Sequence, residues 1–135
     1  MEKSKIIEEI ENTILTWEET TLGKGDFGAI TFLYRGKEFG HIHSDGVLDI
    51  SFDKSMTTEL RRTNLVETHQ FVPETNITYR VSNEAKVVFA VALLRLAYLI
   101  HFIKSNEIDN TAKTTFETEL AKLPESLSSI YWMQK

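Results

Sequence analysis

Hydrophobic residues in positions 4–17 recur at three- and four-residue intervals. Ile6, Ile10 and Ile14 form one stripe, Ile7 and Trp17 lie beside it, and glutamates fill the other side. This is the pattern of an amphipathic helix with one buried face. The stretch TTLGKGDFG (20–28) then interrupts the periodicity with Gly23, Gly25 and Gly28, which predicts a break. From there the period changes to two. FGAITFLYR (27–35), rich in β-branched and aromatic residues, predicts a strand. Arg35-Gly36-Lys37 turns it, KEFGHIH (37–43) forms a second strand, and VLDISF (47–52) a third, after Ser44-Asp45-Gly46.

Asp53-Lys54-Ser55 offers helix caps ahead of MTTELRRTNL (56–65), where Met56 and Leu60 stand one turn apart. ETHQFV (67–72) and NITYRVS (76–82) predict two more strands around a turn holding Pro73. In the second of them Ile77, Tyr79 and Val81 alternate with Thr78 and Arg80, the mark of a half-buried strand. Ser82 is positioned to cap a long helix, EAKVVFAVALLRLAYLIHFIK (84–104). A polar loop, a helix over 111–123 stopped by Pro124, and a short aromatic-bearing tail complete the chain.

The long helix is apolar on every side, with only Arg95 and His101 interrupting residues 87–103. As a membrane span that segment is about 25 Å long, short of the roughly 30 Å hydrocarbon core. Arg95 at its midpoint would cost at least about 2.5 kcal/mol there. The pattern therefore predicts a buried helix, one face on the sheet and the other under the C-terminal segment or a second subunit. Arg95 then needs a carboxylate or a helix end, because an unpaired buried guanidinium is costly; anchoring an anion is its second role. The expected fold class is α+β. An antiparallel sheet, a three-strand meander plus a two-strand hairpin, packs against the long apolar helix, with N- and C-terminal helices. A single domain over 1–135 follows from the absence of repeats and linkers.

The meander brings the candidate chemistry. If Ser44-Asp45-Gly46 is a three-residue loop with Gly46 in the left-handed region, Ile42 opposes Leu48 and His41 opposes Asp49. Ile42, Leu48, Ile50 and Phe52 then share one face, and His41, His43, Asp49 and Ser51 the other. A two-residue loop would mix polar and apolar side chains on both faces. Two imidazoles and a carboxylate can transfer protons, with Asp49 orienting one ring. They are also a recognised ligand set for zinc or non-haem iron. A metal site, a metal-free ligand pocket and a hydrogen-bonded sheet surface all remain open on this pattern. No metal is assigned, and no motif specifies a cofactor; His41, His43 and Asp49 are the ligands if a metal binds. His69 joins them if its strand extends the meander. His101 reads as a core or boundary residue. Ser44 lacks the context of a nucleophile elbow, and the glycines of 23–28 fit no phosphate loop.

Composition narrows the classes further. The 135-residue chain contains no cysteine, which excludes disulfides, thiolate metal sites and cysteine nucleophiles. That absence fits a reducing cytoplasm, and no signal peptide is read in MEKSKIIEEIE. Of the net charge of −5, residues 1–20 carry six glutamates against two lysines, and the remainder has no basic cluster. Nucleic acid is therefore not an expected partner; nor is a membrane.

The order of GHIHSDGVLDISF, an L-x-x-x-x-L helix, THQFVP, an alternating strand and ALLRLAY resembles the luciferase-domain family. That domain is named for the fungal luciferases and is widespread in small bacterial proteins. The resemblance spans about residues 27–98. Its most specific part is G-H-x-H-x-D-G-x-L-D-I, carrying Gly40, His41, His43, Asp45, Gly46, Leu48 and Asp49. His69, Pro73, Leu94, Arg95 and Tyr98 match elsewhere. The chain departs from the pattern at Ser51 or Asp53, where members often have proline, and at Ile77, where they often have tryptophan. Fungal members oxidise a polyphenol-like pyrone with oxygen. The resemblance thus implies a small-molecule-binding protein or oxidative enzyme using His41, His43 and Asp49, with His69, Arg95 and Tyr98 as ligand-binding candidates. The alternative is a non-catalytic structural or interaction module, a homodimer joined through the apolar helix 85–104.

Overall fold

In the computed structural model of the chain, residues 3–134 are described. The α-helices are α1 (Lys3–Ile14), α2 (Lys54–Arg62), α3 (Val87–Ser105), α4 (Asn110–Ala121) and α5 (Glu125–Gln134). The strands are β1 (Thr20–Lys24), β2 (Ile30–Tyr34), β3 (Lys37–Ile42), β4 (Val47–Ser51), β5 (Glu67–Thr68) and β6 (Asn76–Arg80). They form one six-stranded sheet in the order β1-β2-β3-β4-β6-β5, every neighbouring pair antiparallel. The α+β expectation holds, with the long apolar helix against the sheet and helices at both ends.

One face of the sheet is the core. Phe32, Phe39, Ile42, Leu48, Ile50 and Ile77 are fully or almost fully buried there, together with Leu93, Leu94, Leu96 and Ala97 of α3. A Cβ on Gly40 would come within 2.7 Å of Leu94 Cδ2, so α3 crosses β3 where the strand has no side chain. The α1 stripe of Ile6, Ile10 and Ile14 is fully buried, as its spacing requires. Trp17, beyond the end of α1, stacks on Phe39 and meets Tyr98 at a tilt. The segment Glu84–Ser105 is long and apolar enough to cross a membrane; in this fold it is the central helix, in contact with the sheet, α1, α4 and α5.

Four expectations need correction. The helix does end before the glycine-rich stretch, but the first part of that stretch, Thr20–Lys24, is a strand that pairs with β2 along its whole length. Gly23 sits opposite Thr31, where a Cβ would lie 2.6 Å from Thr31 Oγ1, so this glycine provides clearance rather than a turn. The strand expected from Phe27 starts at Ile30, because Phe27 and Gly28 take φ values of +58° and +78°. In ETHQFV only Glu67 and Thr68 pair with β6; the N–H groups of Phe71 and Val72 donate instead to His69 Nδ1. Ser82 caps nothing: a single 3₁₀ turn, Glu84–Lys86, leads into α3 at Val87 without a side-chain cap. The Asp53 cap of α2 is present, its carboxylate accepting the Met56 N–H at 2.8 Å.

The β3–β4 reversal has the three-residue form. His41 opposes Asp49 and Ile42 opposes Leu48, the His43 N–H donates to the Val47 carbonyl at 2.9 Å, and the Gly46 N–H donates back to the His43 carbonyl at 2.9 Å. Gly46 has φ +88°, a region that costs an L-residue about 1–2 kcal/mol. We expect Gly46→Ala to lower the urea-unfolding free energy by about that much while leaving the far-ultraviolet spectrum unchanged.

Candidate functional site

The face of the sheet turned away from α3 carries a row of small and polar residues in direct register. Gly23 faces Thr31, Thr31 faces His41, His41 faces Asp49, and Asp49 faces Thr78. Such a row arises because alternate side chains of every strand point the same way. An irregularity adds to it. Between β2 and β3 the pairing shifts, Phe32 opposing Gly40 and Leu33 opposing Glu38, so Phe39 is the extra residue. This bulge turns Glu38 onto the same side as His41 in spite of their three-residue spacing.

Asp49 is the centre of the row, with a carboxylate that is almost wholly withdrawn from solvent at 6% exposure. Thr78 Oγ1 donates to its Oδ1 at 2.6 Å. His43 Nε2 donates to its Oδ2 at 3.1 Å, and His41 Nε2 lies 3.3 Å from the same oxygen. His69 Nε2 approaches Oδ1 from the β5 side at 3.8 Å. Glu38 completes the set, accepting from His41 Nδ1 at 2.8 Å. Three imidazoles therefore surround one carboxylate, and the rings of His41 and His43 meet edge to face.

The three rings differ in their bonding. His41 has a carboxylate on each nitrogen, and its pKa is raised to about 9, first by its hydrogen bond to Asp49 and then by that to Glu38. For Asp49, burial pushes the carboxyl up. The hydrogen bonds from His41, Thr78 and His43 outweigh that effect and bring it down to about 2. His69 accepts two backbone N–H groups at Nδ1, at 3.1 and 2.9 Å. That nitrogen must be bare, so the ring carries its hydrogen at Nε2, aimed at Asp49. His43 has one partner, Asp49.

A cleft of about 520 Å³ opens over this cluster. Its floor is His41, His43, Asp49 and Thr78, and its rim includes Phe27 and Phe71, which are 98% and 80% exposed. Phe27 holds its ring out from a left-handed backbone position, a conformation that costs a non-glycine residue free energy and is found at functional sites.

Of the residues singled out from sequence, His41, His43, Asp49 and His69 come together. Arg95 and Tyr98 do not join them: they lie on α3, across the sheet. Arg95 Nη2 donates to Glu119 Oε1 at 3.0 Å and its guanidinium rests against the rings of Trp17 and Tyr98. Tyr98 donates to the Glu18 carbonyl at 3.0 Å. Arg95 thus has the carboxylate partner its position demanded. His101 is half-buried on α3, and burial lowers its pKa, with Lys104 and Lys37 adding to the effect. Glu38, Thr78 and the two rim phenylalanines were not anticipated. Thr78 was visible as an outward residue of an alternating strand, but its pairing with Asp49 was not; Glu38 was hidden by the bulge.

These shifts set a pH dependence. His41 gains stability from its partners in full below its ordinary value of 6.5, and loses it as pH rises through about 9. Asp49 contributes in full above its ordinary value of 3.8, and loses it as pH falls through about 2. Stability should therefore be greatest at about pH 4–6.5 and decline between about 6.5 and 9. Thermal denaturation across that range checks this. In Asp49→Asn the alkaline decline should shrink and move toward pH 6.5, with Glu38 alone holding the proton on His41.

No curated protein and no solved structure matches the chain. A family model does: it covers residues 36–97, from the turn before β3 through most of α3. His41, His43, Asp49, His69 and Thr78 fall inside that span; β1, β2 and Phe27 fall outside it, as do α1, α4 and α5. The matching family is the Luciferase domain, the same family that the G-H-x-H-x-D-G block resembles.

Proposed function

We propose that this protein binds a small, flat organic molecule in the cleft over Asp49 and acts on it there. The observation that carries the reading is a buried carboxylate at the floor of an open cleft, ringed by three imidazoles. Burying a carboxylate costs several kcal/mol before its partners are counted. A sheet that needed only packing would fill that position with threonine or valine. Convergent polar groups under an aromatic rim are the usual construction of a ligand site. Phe27 and Phe71 offer planar apolar contact, and the imidazole N–H groups offer donors to a hydroxyl or carbonyl oxygen of the ligand. Acid–base groups beside an electron-rich hydroxylated ligand suit the oxygen-dependent oxidation that the family resemblance implies.

The competing reading, an interaction module joined through the apolar helix, draws less support. That helix has its leucine and alanine faces buried by other elements of the same chain, so its hydrophobicity is accounted for without a second copy.

The test is a His41→Ala/His43→Ala double variant. We expect it to keep the wild-type circular dichroism spectrum. In a thermal-shift screen of phenols and hydroxylated aromatic acids, run with chelator present, it should lose the stabilisation seen with wild type. A double variant that responds to the same compounds as wild type contradicts the proposal.

A further inference from the structure

We infer that His41 Nε2, His43 Nε2 and Asp49 Oδ2 form a three-ligand site for one divalent transition-metal ion, with His69 outside the ligand set. The inference goes beyond the ligand reading and does not depend on it. Its basis is geometric. One ligand atom from each of the three residues lies within 4.8 Å of the other two, and Oδ2 stands 3.3 Å from one imidazole Nε2 and 3.1 Å from the other. Metal–ligand bonds of about 2.0–2.1 Å place neighbouring ligand atoms about 2.9 Å apart at an octahedral corner and about 3.4 Å apart in a tetrahedron. Both separations from Oδ2 already fall in that interval. Turning the half-exposed His43 ring, which has no second hydrogen bond to break, closes the third side of the triangle.

The outer contacts have the form that metal ligands require. The carboxylate of Glu38 takes the Nδ1 hydrogen of His41 at 2.8 Å, so the ring keeps that hydrogen when a metal displaces the one on Nε2. Thr78 occupies Oδ1 of Asp49 at 2.6 Å, which leaves Oδ2 as the oxygen shared by the two imidazoles. The three ligands come from two adjacent paired strands, so their backbone positions are rigid, and the remaining coordination positions face the cleft. Two imidazoles and one carboxylate favour zinc, iron(II) or cobalt(II) over magnesium or calcium.

His69 would be the natural fourth ligand, and its hydrogen bonds forbid it. With Nδ1 accepting from Phe71 and Val72, the ring's one hydrogen cannot move from Nε2 to Nδ1, whereas His41 and His43 can lose the Nε2 hydrogen and hold one at Nδ1. His69 is instead an N–H donor beside the open positions, placed to bond to an oxygen held there.

The experiment titrates chelator-treated full-length protein with Zn²⁺ and with Co²⁺, calorimetrically and by visible absorption, with no organic compound added. We expect one equivalent to bind with a dissociation constant in the micromolar range or tighter, with cobalt bands of nitrogen and oxygen coordination. His41→Ala, His43→Ala and Asp49→Asn should each weaken binding at least about 100-fold. Glu38→Gln and Thr78→Val, which leave the ligands in place, should weaken it about 10–100-fold. His69→Gln should change it less than about threefold. Absence of saturable one-to-one binding below about 100 μM overturns the inference. So does wild-type affinity in folded ligand variants, or a loss in His69→Gln as large as theirs. A metal result and the thermal-shift result are separable, since neither experiment contains the other's ligand.

Discussion

Asp49 keeps its negative charge in a position nearly closed to water, and most of the polar face is arranged around that fact. Desolvating a carboxylate costs several kcal/mol. A hydrogen bond to a charged group returns about 1.5–3 kcal/mol, so one partner is insufficient and three are enough. Thr78 supplies the first, His43 the second and His41 the third, the last strengthened because Glu38 helps keep its ring charged. Among the described residues, no buried side-chain nitrogen or oxygen lacks a partner. The arrangement is mutually dependent: His41 owes its proton to two carboxylates, and Asp49 owes its ionisation to His41.

Backbone geometry delivers these groups to one place. Gly46 at positive φ closes β3 onto β4 in the register that opposes His41 to Asp49. The bulge at Phe39 keeps that ring in the core while bringing Glu38 beside His41. Gly40 lets α3 lie directly on β3, holding the strand from behind. On the far side, β5 pairs for two residues only. The chain then turns around His69, whose ring replaces the strand partner for two backbone donors. A side chain that organises its own loop is locked in one tautomer, and that tautomer decides what the ring can do.

Much of this was legible from residue order. The alternation in GHIHSDGVLDISF, with one left-handed glycine, was enough to put His41, His43 and Asp49 on one face, because a slip of one residue would have mixed polar with apolar. The α1 stripe and the Asp53 cap were legible for the same reason: local periodicity and local hydrogen bonding decide them. What stayed hidden depends on contacts between distant segments. Gly23 looks like a chain breaker until Thr31 is set opposite it. Glu38 looks like an exposed strand residue until the bulge is known. Thr78 needs the β4–β6 pairing, which skips α2 and β5. Arg95 and Tyr98 resemble site residues in sequence, yet α3 carries them to the opposite side of the sheet, where Glu119 and Trp17 engage Arg95.

One buried carboxylate and a two-donor turn impose different hydrogen placements on neighbouring imidazoles. Nitrogen-15 NMR of the ring nitrogens in metal-free protein at pH 7.5 tests it most directly. His41 should carry hydrogens on both nitrogens, and His69 a hydrogen on Nε2 with a bare Nδ1. A His41 ring carrying a single hydrogen at that pH, or a His69 ring protonated at Nδ1, would contradict it.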